Sequence, residues 1–269
     1  TYAVLSKSFL KLATTNRGSA KAIYKEKTTK SRSVGSTLLQ KELRRFTGSA
    51  NYMLNCGLGI VLMPIAAAAA VWKAPVIREV LSFGSIREYA PLLAVAAVCL
   101  LSAMNDMTAP SVSLEGKNLW IVQSFPVSAV KVLKAKLGLQ LILTLIPAMP
   151  LIAVLEWLLM PEPVHAVMIF SISALFIVLM AEIGLALNLK MPNLNWNSEI
   201  VPIKQSMCVM LTLFGGWAIV AAIAGLYAPL MNFIGLTVYF ILIFVLLTAA
   251  IAALSHWLFT KGARIFETL

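Results

Sequence analysis

Residues 137–159 read LGLQLILTLIPAMPLIAVLEWLL, and residues 164–187, after four intervening residues, read VHAVMIFSISALFIVLMAEIGLAL. A helix needs about 20 mostly apolar residues to cross roughly 30 Å of hydrocarbon, and both stretches are long enough. They are too long and too uniformly apolar for buried strands, and neither alternates with the period of two that a barrel strand needs. Four further stretches read the same way, at about 52–72, 89–108, 206–227 and 231–258. The expected fold class is therefore all-α: a polytopic membrane protein with a six-transmembrane-helix bundle at 51–269, preceded by a basic arm at 1–50. Composition agrees, since 60% of the 269 residues are hydrophobic and 12% charged, against roughly a quarter charged in soluble domains. A water-soluble globule is excluded.

The formal charge is +11, from 22 Lys+Arg and 11 Asp+Glu. Up to residue 50 there are eleven Lys or Arg against Glu26 and Glu42, a net of +9, which leaves +2 for the remaining chain. Basic residues mark cytoplasmic connections. With a cytoplasmic amino terminus, nineteen Lys or Arg fall inside: the eleven of the arm, then Lys117, Lys131, Lys134, Lys136, Lys190, Lys204, Lys261 and Arg264. Only Lys73, Arg78 and Arg87 fall outside. The expectation is a multi-pass protein of the cell (plasma) membrane with both termini cytoplasmic. The charge is then a topology signal facing membrane lipids, and no nucleic acid partner is expected.

Within the arm, Thr37-Leu38-Leu39-Gln40 matches a capping box, and Leu39, Leu43 and Phe46 recur at helical spacing. This predicts an amphipathic helix over about 37–47, lying in the inner headgroup layer or, alternatively, a solvated charged stretch. Leu5, Phe9 and Leu12 repeat the spacing, and residues 16–36 read as a linker. The chain starts at Thr1 with no apolar leader and cleavage site, so a segment of a longer polypeptide is expected.

The connection from Pro110 to Lys136 carries Leu114, Leu119 and Trp120 and then Pro126, a helix and a break that suit either a docking element or interfacial ballast. Residues 188–205 hold two prolines, four asparagines and Trp196, a turn-rich loop with a ring suited to an interface. Pro64, Pro147 and Pro150 should kink their spans, and Gly57, Gly59, Gly215 and Gly216 offer close-approach surfaces.

Glu182 is the carboxylate placed clearly within a span, with structural, snorkelling and transport roles all open. Asp106 is expected at an interface. Cys56, Cys99 and Cys208 have neither a CxxC pairing nor metal-ligand spacing and read as buried thiols, so neither a metal nor a cofactor is expected. Neither a GxxxxGK loop nor HExxH or GxSxG occurs, so the chain has no phosphate loop of its own and no hydrolase signature.

Lys41-Glu42-Leu43-Arg44-Arg45-Phe46 leading to Tyr52-Met53-Leu54-Asn55 resembles the permease subunits of type-2 ABC exporters of Gram-positive bacteria. So do Ser113-Leu114-Glu115-Gly116-Lys117-Asn118-Leu119-Trp120 with Phe125-Pro126, and Pro192-Asn193-Leu194-Asn195-Trp196 with Pro202-Ile203-Lys204-Gln205. The likeness covers the whole chain, as the carboxy-terminal half of a permease. It implies a non-catalytic permease powered by a separate ATP-binding cassette ATPase subunit, together with the permease's first half or a second copy. It also implies that Glu115, Gly116, Lys117, Asn118 and Trp120 couple to that ATPase. Two rival expectations are a membrane-embedded enzyme acting on lipid or peptide with Glu182 or His256 as base, and an ATP-independent carrier.

Overall fold

The computed structural model describes residues 33–82 and 84–269. Among them every regular element is helical. Helix α1 (Val34–Gly48) leads through α2 (Ala50–Cys56) into α3 (Leu58–Trp72), α4 (Ala74–Ser82) and α5 (Gly84–Ser102). A 3-10 turn at Ser113–Asn118 and the short α6 (Leu119–Gln123) precede the long α7 (Ala129–Leu159) and α8 (Pro163–Lys190). Beyond them lie α9 (Ile200–Lys204), α10 (Met207–Leu230), α11 (Leu236–Trp257), a π turn at Leu258–Gly262 and α12 (Ala263–Thr268).

Among the described residues, four helical stretches are long and apolar enough to cross a membrane: Ala129–Leu159, Pro163–Lys190, Ile200–Leu230 and Leu236–Thr268. The pair α2 and α3 makes a fifth if its 53° bend is counted as one broken span. That bend falls at Gly57 rather than at Pro64, which α3 accommodates within its length; α7 likewise runs unbroken through Pro147 and Pro150. The stretch expected as a continuous second span at 89–108 is helical only to Ser102.

Helix α8 is central, packed by α5, α7, α10 and α11. It runs parallel to α11: His165 meets Thr237 at 3.0 Å near their beginnings, and Glu182 meets Ser255 near their ends. One apolar core, including Val98, Ile172, Phe176 and Tyr239, lies around the half of α8 nearer its start. A second, including Leu133, Leu185, Leu258 and Phe266, lies at the end where α7 begins and α8 finishes. The outside is apolar too: Val61, Ile65, Ile146, Val167, Phe214 and Val245 are each more than half exposed. In water such a belt would drive association, whereas hydrocarbon tolerates it at no cost.

Basic residues segregate along the bundle. Lys41, Arg44, Arg45, Lys117, Lys131, Lys134, Lys136, Lys190, Lys204, Lys261 and Arg264 lie at the end where α7 begins, and Lys73, Arg78 and Arg87 at the other. The readings made on residues 5–12 and on the linker up to residue 32 lie outside the described residues.

Helix α1 is longer than the capping box implied. Ser33 is its N-cap, accepting from the Ser36 amide at 3.3 Å, while the Thr37 hydroxyl lies inside the helix and donates to the Ser33 carbonyl. Its buried face is Leu38, Glu42 and Phe46: Phe46 is where it was expected, while Leu38 and Glu42 take the places expected for Leu39 and Leu43, and Leu43 is exposed. The register turns because Glu42 has a buried partner, Lys136 of α7.

Gly184 approaches residues 108–109 so closely that an added Cβ would stand 2.6 Å from the Thr108 hydroxyl. Gly57, Gly59 and Gly216 are similarly crowded, while Gly215 meets nothing within 4 Å and is no packing surface here. Gly184→Ala should therefore cost about 1–3 kcal/mol through overpacking. Gly215→Ala, in open space on a helix, should be neutral or stabilise by up to about 1 kcal/mol. Thermal melting of the two variants in detergent checks this; equal melting temperatures would refute it.

Candidate functional site

Between Ser102 and Ser113 the chain leaves helical geometry but stays inside the protein, with almost every residue buried. Non-helical backbone at membrane depth survives only where its polar groups find protein partners. Here side chains and carbonyls from three helices, α2, α7 and α8, supply them. Tyr52 donates to the Met107 carbonyl at 2.5 Å, and the Asp106 amide donates to the Cys56 carbonyl at 3.2 Å. Gln140 Oε1 accepts from both the amide and the hydroxyl of Thr108 at 2.8 Å, and that hydroxyl reaches the Ala181 carbonyl at 2.8 Å. Asn188 Oδ1 accepts the Val112 and Ser113 amides at 2.7 and 3.0 Å. Asp106, expected at an interface, is buried in this segment.

The segment ends on an ion cluster. Lys136, in the third turn of α7, is fully buried. Its three ammonium protons are all used: Nζ lies 2.9 Å from Glu115 Oε1, 3.1 Å from Glu42 Oε1 and 2.9 Å from the Ser111 carbonyl. Glu115 is held from the other side by Lys41 Nζ and Arg45 Nη2, each at 2.8 Å. Burial pushes the Glu115 carboxyl up, but the Lys136 ammonium with Arg45 and Lys41 outweighs it and holds the group well below the usual carboxylate range. Three helical regions, α1, the 3-10 turn and α7, are thereby tied at one point.

The loop that grows from this root was marked by Glu115, Gly116, Lys117, Asn118 and Trp120, and the structure divides the five. Glu115 and Gly116 are buried, whereas Lys117, Asn118 and Trp120 are exposed, Trp120 at 64%. Gly116 has φ +55° and ψ −140°, a conformation open to glycine, and its Cα side lies under Trp196, where an added Cβ would sit 3.1 Å from the ring. Trp196 in turn donates to the Ser113 carbonyl at 2.6 Å, and Ser113 Oγ accepts from Asn188 Nδ2 and from the Asn193 amide. The ring expected at an interface is thus pinned onto the loop root. Ile121 and Phe125 are exposed beside Trp120, and Gln123 Nε2 donates to the Phe266 carbonyl of α12 at 2.7 Å.

Glu182 lies apart from this site. It is buried, with Oε1 accepting from the Ser255 hydroxyl of α11 and Oε2 without a hydrogen-bond partner. His256, the other candidate base, is exposed, and among the described residues no second titratable group bonds Glu182. Among the described residues no three His, Cys, Asp or Glu side chains gather where they could hold a metal ion, and all three cysteines are buried and free.

Sequence reasoning missed Lys41, Glu42, Arg45, Lys136, Ser111 and Asn188. The signals were present. Lys136 falls on the face of α7 that also carries Val132, Leu133 and Gln140, and Glu42 stands four residues from both Leu38 and Phe46. A charge on an apolar face at each of two helices is a pair waiting for a partner.

Truncating one member of a buried ion pair leaves an uncompensated charge, so Lys136→Ala should lose about 3–5 kcal/mol. A carboxyl depressed in the folded state contributes stability that is fully present above its ordinary value of 4.5 and is lost as pH falls below it. The gap in melting temperature between the unaltered protein and Glu115→Gln should hold steady from neutral pH down to roughly 5 and narrow below about 4.5. A gap that widens on acidification would contradict an ionised Glu115 at the centre of the cluster.

Comparison with known protein families, with curated proteins and with solved structures returned no match.

Proposed function

We propose that this chain is the membrane half of an ABC-type exporter permease, non-catalytic itself and driven by a separate ATPase subunit. The observation that carries the reading is a loop with a rigid root and an exposed tip. Ion cluster, Asn188 and Trp196 clamp residues 111–116 to three helices, while Lys117, Asn118, Trp120, Ile121 and Phe125 stand free at the cation-rich end. Only a rigid root can carry a push from a soluble partner into spans; a loosely hinged loop would absorb it. An exposed Trp beside apolar neighbours is the residue type that anchors protein interfaces.

In this reading the cation-rich end is cytoplasmic, in keeping with the excess of Lys and Arg there, and both termini lie on that side of the cell membrane. Helices α3 and α5 complete a six-pass arrangement with the four long ones. Helix α1 rides the inner headgroup layer, with Leu43 outward and Glu42 turned into the cluster. The roles of the loop residues divide accordingly: Glu115 and Gly116 hold the root, and Lys117, Asn118 and Trp120 meet the ATPase. Among the described residues Glu182 bonds Ser255 and no second acid or base of the kind a hydrolase would use, which favours transport over membrane-embedded enzymology.

The test is the double variant Lys117→Ala, Trp120→Ala. Losing an anchor worth about 2 kcal/mol should weaken retention of a P-loop ATPase roughly 30-fold in co-purification and uncouple ATP hydrolysis from export, with melting unchanged. Unaltered retention and transport would remove the assignment.

A further inference from the structure

Where α1 begins beside the first turns of α7 there is a groove of about 450 Å³ lined by Ser33, Val34, Leu39, Lys134, Ala135 and Gly138, with Lys131 at its rim. Its floor is apolar and its charges are all positive. Lys131 and Lys134 stand three residues apart on α7, hence on one face, and among the described residues neither pairs with an acidic side chain. Lys134 is steadied over the Phe259 ring at 5.2 Å. The first-turn amides of α1 add partial positive charge to the same rim. Two like charges held together without a counter-ion are mildly destabilising unless an anion completes the set.

We propose that this groove is a binding site for an anionic phospholipid, whose phosphate sits between Lys131 and Lys134 and whose acyl chain lies over Leu39, Ala135 and Gly138. Charge and hydrophobicity together select the occupant. A soluble anion would leave the apolar floor unused, and a zwitterionic lipid would bring a cation to a basic rim. Residues 1–32, the adjoining stretch of sequence, hold eight Lys or Arg against Glu26, a charge of the same sign as the rim. Basic pockets between helices at the inner face are where such headgroups bind. The inference rests on the proposed membrane orientation, not on the ATPase, and its test needs no ATPase.

Gly138 supplies the deciding variant. An added Cβ there would meet only Leu39 Cδ1, at an ordinary contact distance of 3.6 Å, so substitution at this position narrows the groove without a clash at the Cβ. The purified protein in neutral detergent is titrated with phosphatidylglycerol, phosphatidylcholine and inorganic phosphate, with retained lipid read by native mass spectrometry and stability by melting. Phosphatidylglycerol should be retained about 30-fold better than phosphatidylcholine, since two surface lysines supply about 1 kcal/mol each. Lys131→Gln with Lys134→Gln should abolish that preference. Gly138→Leu should weaken both lipids while melting no lower than the unaltered protein without lipid. Equal retention of the two lipids, an undiminished preference in the lysine variant, undiminished binding in Gly138→Leu, or stabilisation by inorganic phosphate equal to that by phosphatidylglycerol would each overturn the site.

Discussion

A single ammonium group, Lys136 Nζ, holds the working end of this protein together. Placed in an apolar helix face with no exposure, it would be costly unless every proton found an acceptor, and it finds three: Glu115, Glu42 and the Ser111 carbonyl. Each acceptor belongs to a different stretch of chain. The amphipathic helix α1 therefore takes its roll angle from Glu42, the loop takes its anchorage from Glu115, and the buried non-helical segment takes its end point from Ser111. Lys41 and Arg45 reinforce the tie from the more exposed side, where screening by solvent leaves each worth less.

Behind the cluster, the irregular segment from Ser102 to Ser113 passes through the bundle where an unbroken helix would have been simpler. Backbone amides and carbonyls there depend on Tyr52, Gln140 and Asn188, side chains that offer one good geometry and few alternatives. Such a network specifies position more than it adds stability. Ser113 illustrates this: its hydroxyl, amide and carbonyl are engaged by Asn188, Asn193 and Trp196, so the root of the exposed loop is registered against both α8 and the turn after it. Beyond Gly116, Leu119 and Val122 are buried in the second apolar core and Gln123 donates to the Phe266 carbonyl, while Lys117, Asn118 and Trp120 face outward. Burial changes at Gly116, the last of the continuously buried residues, whose φ of +55° suits glycine.

The apolar stretches at 137–159 and 164–187 were readable because length and hydropathy alone decide whether a segment can span hydrocarbon. Both lie within observed helices, although Ala129–Leu159 begins eight residues earlier than expected and takes in Lys131, Lys134 and Lys136 from the expected loop, while Pro163–Lys190 keeps within three residues of its expected bounds. The stretch at 89–108 misled because hydropathy does not separate a helix from a buried coil: Met107 and Thr108 are apolar or small enough for either, as is Ala109 just beyond, and the hydrogen-bond partners that permit the coil come from residues 52, 140 and 188. The amphipathic stripe of α1 shares Phe46 with the expected one but otherwise runs through Leu38 and Glu42, an acidic residue turned inward. Its inward course depends on Lys136, far along the chain on α7.

By itself the amino-acid sequence determined the properties that local composition dictates: an all-helical chain, long apolar helices, basic residues gathered at one end, and a loop whose residues 113–120 differ from their surroundings. Tertiary structure alone decided which of those loop residues are roots and which are tips, where α1 lies, and that the chain between α5 and the loop abandons helix. The reason is physical. Transfer into hydrocarbon depends on each segment's own surface and sums along the sequence, whereas a buried charge or unpaired amide is tolerated only through partners that folding brings from elsewhere.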